Sequence, residues 1–152
     1  MQLLYTDTYI DIQKEDKQNF LEVIQKQHID DATVFYALSE KIIQATNQYH
    51  CTSIIIVVNN ITYYPDTRYI QETYLPGLGK QGIQYLAAVI SEDEQVKSFH
   101  KELDNSLRQV KQQYGIQLRF FANITDAREW VNTQSKKSIT THEIRKIPVE
   151  LS

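Results

Sequence analysis

Two short apolar runs constrain this fold more than any other feature of the chain: SIIIVV at residues 53–58 and IQYLAAVI at 83–90. A strand with one face in water alternates apolar and polar side chains. A continuous, β-branched run belongs instead to a strand covered on both faces. The intervening stretch is long enough for a helix, so the two runs read as parallel strands joined by a crossover.

The flanking sequence extends that unit. YTDTYIDIQ places Tyr9, Asp11 and Gln13 on one parity and Ile10 and Ile12 on the other, as in a half-buried strand. After the polar turn KEDKQ, NFLEVIQKQ forms the second arm of an antiparallel hairpin. Asp30 or Asp31 then caps a helix whose Phe35, Leu38, Ile42 and Ala45 make one apolar stripe. A second helix runs from about Asp66 to Gln81, is kinked by Pro76 and ends at Gly82. SEDEQ opens a third, long helix with Val96, Phe99, Leu103, Leu107 and Val110 at helical spacing, closed by Gly115. IQLRFF (116–121) is the last strand, and Thr125 caps a final helix carrying Ala127, Trp130 and Val131. The expected order is β-β-α-β-α-β-α-β-α: a mostly parallel sheet of four to five strands with the hairpin at one edge. Residues 1–132 read as one domain, and 133–152 as a polar C-terminal tail.

With 41% hydrophobic residues in 152, the chain can build a core without metals or disulfides. A formal charge of −3 and no clustered basic face argue against nucleic acid. Cys51 is the single cysteine, so no intrachain disulfide forms and a reducing cytoplasm is the expected location. MQLLYTDTYID has neither a basic n-region nor a long apolar stretch, so no signal peptide is expected. No apolar run approaches the roughly 20 residues that span a bilayer.

The hairpin YIDIQKEDKQNFLEVIQ, the centre IIIVVNNITYYPDTRYIQETYLPGLGKQGIQYLAAVI and the closing GIQLRFFANITDAREWV together resemble a STAS-like domain. This is the fold of bacterial anti-sigma-factor antagonists, and the nearest likeness is to small STAS-like proteins of unassigned function. The resemblance implies helices mainly on one face of the sheet and no particular reaction. In the antagonists a serine directly after an aspartate, at the start of the second helix, is phosphorylated and changes partner binding. Asp66 and Thr67 occupy the similar place, where a phosphate would meet free helix amides. This chain departs from that pattern in having threonine, a following Arg68-Tyr69 and a longer loop. The alternative role for Asp66 or Thr67 is simply a helix cap.

Tyr63, Tyr64, Tyr69 and Tyr74 are the candidate partner- or ligand-binding residues, because tyrosine combines apolar area with a polar tip. Either they line a cleft at the carboxyl ends of the parallel strands, or they pack and decorate a surface. His28, His50, His100 and His142 are scattered without ligand spacing, so no metal site is expected. Cys51 reads as a buried structural thiol, and GLGKQG follows a proline within a helix, the wrong context for a phosphate loop. No catalytic constellation and no cofactor site emerge. Two functions fit: a non-enzymatic protein-interaction module, binding an unknown partner or a second copy, and a small carrier of a lipid-like or other apolar molecule. If the tyrosines converge on a cavity the carrier is favoured; if they form a flat exposed patch, the interaction module is.

Overall fold

A computed structural model describes residues 1–29, 31–58, 67–90 and 113–134. The loop with Tyr63, Tyr64 and Asp66, residues 91–112 of the third helix expected to end at Gly115, and the tail beyond 134 lie outside the described residues. Among the described residues the sheet has six strands in sequential order: β1 (Gln2–Thr6), β2 (Ile10–Lys14), β3 (Phe20–Gln25), β4 (Ser53–Val58), β5 (Tyr85–Ile90) and β6 (Gln117–Phe121). β1–β2 and β2–β3 pair antiparallel, and β3 through β6 pair parallel. The expected hairpin at one edge and the parallel centre are therefore present.

The strand number is a correction, six where four to five were expected. The residues read as one strand from Tyr5 to Gln13 are two strands joined by a turn. Asp7 makes that turn: its Oδ1 accepts the amides of Tyr9 (2.7 Å) and Ile10 (2.8 Å), and its Oδ2 accepts the Tyr5 hydroxyl (2.7 Å). Partial burial pushes the Asp7 pKa up, but these hydrogen bonds outweigh it and leave the carboxyl below its usual value. A carboxyl with a depressed folded-state pKa stabilises the fold above its unfolded pKa, roughly 3.9, and loses that contribution as pH falls through the folded value. The β1–β2 hairpin is therefore expected to loosen in acid below about pH 4. Amide exchange at Tyr9 and Ile10, compared between wild type and Asp7→Asn across pH 2–6, tests this, because only the wild type should show the acid step.

Asp31 caps α1 (Ala32–Tyr49), its Oδ1 accepting the Thr33 amide at 2.7 Å. Leu38 and Ile42 of the expected stripe are buried, with Phe35 and Ala45 packed partly against the same core. The second helix is composite: α2 (Thr67–Tyr69), a π-helical turn (Ile70–Tyr74) and α3 (Leu75–Lys80). Gly82, at φ 94°, follows it. The last helix, α4 (124–134), is capped by Asn123 and not by Thr125, since the Asn123 Oδ1 accepts the Asp126 amide at 2.9 Å.

Strand parity assigns the two faces of the sheet. Ile54, Leu86, Leu21, Val23, Ile10 and Ile12 share one core with Leu38 and Ile42 of α1 and with Ile70, Tyr74, Leu75 and Leu78. Phe20, Ile55, Ala87 and Val89 point the other way, onto Ala127 and Val131 of α4. Among the described helices, then, α4 alone covers the second face. Glu22 lies on that face, in register with Gln13 on β2 and Ile55 on β4. It is fully buried, and Arg128 of α4 meets it with two parallel bonds, Nε to Oε2 at 2.7 Å and Nη2 to Oε1 at 2.8 Å. Gln13 Nε2 donates to the same Oε1 at 3.1 Å. No described helix is long and apolar enough to cross a membrane.

Candidate functional site

Between the first face and its helices lies a cavity of about 170 Å³. Its floor is sheet: Val23 and Gln25 on β3, Ile56 and Val58 on β4, Ala88 and Ile90 on β5, and Leu118 and Phe120 on β6. Its opposite wall is helical, from Phe35, Leu38, Ser39 and Ile42 on α1 and Ile70, Tyr74 and Leu75 on the composite helix. Gln25, Val58 and Ile90 end their strands, so the cavity lies toward the carboxyl ends of the parallel strands, where α/β sheets bind ligands.

The chemistry of the lining is simple. Only Gln25, Ser39 and Tyr74 among the described lining residues carry polar side-chain atoms, and none of those described residues is charged. Gln25 donates its side-chain amide to the Gln27 carbonyl at 2.8 Å, and the Ser39 hydroxyl donates to the Phe35 carbonyl at 2.8 Å. The Tyr74 hydroxyl is buried with no hydrogen-bond partner among the described residues. Burial pushes its pKa well above the ordinary phenol value, so it keeps its proton throughout the physiological range. An unpaired buried hydroxyl costs roughly 1–3 kcal/mol, and this one is covered on all sides, behind the surface of the cavity.

Tyr74 reaches this position through the π-helical turn. Pro76 has no amide hydrogen and its ring crowds the carbonyl four residues earlier. The turn ahead of it is wound wider, with the Leu75 amide bonded to the Ile70 carbonyl five residues back. The kink expected from Pro76 is thus realised as a π-helical turn. In an α-helix, residues five apart diverge around the axis, whereas an i to i+5 closure brings them towards the same side. Tyr69 and Tyr74 accordingly both pack edge-on against Phe35, at centroid distances of 5.8 and 6.1 Å. Tyr36 lies 4.2 Å from Tyr69 and is 37% exposed, so the aromatic cluster runs from the surface to the cavity wall. Burial also raises the Tyr69 pKa, with the neighbouring Ser39 hydroxyl partly opposing it.

Of the sequence-derived candidates, the structure brings Tyr69 and Tyr74 together around Phe35, and Tyr74 lines the cavity. Tyr63, Tyr64 and Asp66 lie outside the described residues, and Thr67 is the first residue of α2. Cys51 is buried, and desolvation raises its thiol pKa, which keeps it in the unreactive thiol form. Phe35, Ser39 and Gln25 were not among the candidates. Phe35 was legible as a member of the α1 apolar stripe, but nothing local marks it as the hub of an aromatic cluster. Neither a scan of protein-family models nor a search of curated proteins returned a match.

Proposed function

We propose that this chain is a non-enzymatic binding module on a STAS-like fold, and that it carries a small apolar molecule in the cavity between sheet and helices. The observation that carries the reading is the cavity itself: about 170 Å³, apolar in its lining, at the strand ends where such sheets hold ligands. The sequential parallel strands and the antiparallel edge hairpin support the STAS-like assignment. The single cysteine, Cys51, unpaired and buried, supports a reducing, cytoplasmic setting.

A small hydrocarbon tests the reading. A ligand that binds only the folded state at ten times its Kd stabilises that state by about 1.4 kcal/mol, or roughly 3–5 °C in Tm for a domain of this size. Ethylbenzene is expected to raise the wild-type Tm by about this much. It should leave Ala88→Phe unmoved, because that side chain grows from the cavity floor into the space the ligand needs. Equal shifts in both proteins would place the binding elsewhere and end the proposal.

One observation favours a second reading, in which a protein partner or a second copy of the chain docks on the surface. Tyr36 is exposed and stacked on Tyr69, a small aromatic patch at the outer end of the cluster. Thr67, opening α2, would be the position at which a phosphate altered such docking. Replacing Tyr36 with alanine separates the readings, since it should weaken docking and leave the ethylbenzene shift intact.

A further inference from the structure

The wall of the cavity also limits what its ligand can be. Resting on the carrier reading, we propose that the ligand is a hydrocarbon about the size of one aromatic ring with a short alkyl chain. A molecule of the same shape that bears even one hydroxyl or carbonyl group is excluded.

Volume sets one limit. Apolar cavities of roughly 150 Å³ take up benzene, and this one, at about 170 Å³, has room for a ring and a short substituent. Val23, Ile56, Val58 and Ile90 in the floor are β-branched and stiff at χ1, so the floor yields little to a longer guest. Charge sets another. No lysine, arginine, histidine, aspartate or glutamate occurs among the described lining residues, so an ionised carboxylate or amine would be buried without a counter-charge.

The observation that decides the chemistry is that the surface presented to a ligand is almost wholly carbon, although three of the described lining residues carry polar atoms. Each of the three turns those atoms into the protein. The side-chain amide of Gln25 donates to the Gln27 carbonyl, and that residue is only 7% exposed. The Ser39 hydroxyl donates to the Phe35 carbonyl, and Ser39 is 1% exposed. The Tyr74 hydroxyl is covered on all sides, so its ring and not its oxygen meets the cavity. A hydroxyl or carbonyl entering this space leaves its water behind and meets carbon. A hydrocarbon leaves no hydrogen bond behind and gains dispersion contacts with the wall. Discrimination therefore comes from desolvation, without any recognising group.

Isothermal titration of the full chain with ethylbenzene, anisole, benzyl alcohol and butylbenzene tests the proposal, with Ala88→Phe marking the site. Benzyl alcohol replaces the terminal methyl of ethylbenzene with a hydroxyl. By competition against ethylbenzene, wild type is expected to bind it more than about a hundredfold less tightly. Octanol gives a hydroxyl a hydrogen-bond partner and an alkane does not. Affinities for ethylbenzene, anisole and benzyl alcohol should therefore follow their water-to-alkane partition and not their water-to-octanol partition, a comparison that needs no variant. Butylbenzene should bind about fivefold more weakly than ethylbenzene, because the stiff floor resists the longer chain. A hydroxyl penalty below about a hundredfold, or affinities that follow octanol, would mean that a group of the chain pairs with the ligand. Either result overturns the hydrocarbon class and leaves the carrier reading in place. Butylbenzene binding as tightly as ethylbenzene would overturn the size limit. If ethylbenzene fails to bind wild type, or binds Ala88→Phe equally well, the carrier reading falls together with this one.

Discussion

Replacing Arg128 with alanine is expected to lower the stability of the fold by about 3 kcal/mol, read from the urea midpoint at constant m value. The effect comes from what the variant leaves behind. The Glu22 side chain is 1% exposed, and without the guanidinium only Gln13 among the described residues would satisfy it. Breaking a buried pair by removing one partner costs roughly 3–5 kcal/mol. The lower end applies here because Arg128 is itself 41% exposed, so water can approach from its side. Replacing both partners with leucine should recover most of the loss, since the penalty lies in the orphaned charge and not in the absence of the bond. A loss below about 0.5 kcal/mol in Arg128→Ala, the size of an ordinary surface change, would mean that Ala127, Val131 and their neighbours dock α4 unaided. The pair lies on the face opposite the cavity, so ligand binding by the folded variant should be unchanged.

That ion pair also shows where the sequence was legible and where it was not. SIIIVV and YLAAVI declare themselves because strands buried on both faces must be apolar on both parities. β1 escapes the same logic. It is an exposed edge strand whose register with β2 shifts between Leu3 and Tyr5, so no core-facing alternation disciplines its residues. Glu22 carries a charge that ordinarily stays in water, and its burial depends on an arginine 106 positions away. No local pattern reports such a pairing. Pro76 announced an irregular helix, and the expected kink is a π-helical turn instead, because both accommodate a missing amide. The cavity was invisible for a related reason: it is set by how far the helices stand from the sheet, a property of packing. Tyr74 could be nominated from composition, but its unpaired hydroxyl could not.

Phe35→Ala is expected to separate stability from binding capacity, and to move both. The ring sits at the centre of the cluster, 6.2 Å from Tyr36, 5.8 Å from Tyr69 and 6.1 Å from Tyr74, and it forms part of the cavity wall. Truncating a fully buried phenylalanine costs roughly 3–5 kcal/mol. Phe35 is only half-buried, so a loss of about 2–3 kcal/mol is expected, including the edge-on ring contacts. The space it vacates adjoins the cavity, and the π-helical turn holds Tyr69 and Tyr74 on the far side of it. The variant should therefore admit larger neutral ligands than wild type. Butylbenzene, compared with ethylbenzene by calorimetry, should gain affinity in Phe35→Ala while ethylbenzene loses some through poorer packing. If the cluster serves only to hold α1 against the composite helix, stability will fall by the same amount and the order of preference between the two probes will not change. If Tyr69 and Tyr74 collapse into the vacated space, the stability loss will shrink and both probes will bind less well. Only an enlarged ligand range with reduced stability matches a wall residue of a binding cavity.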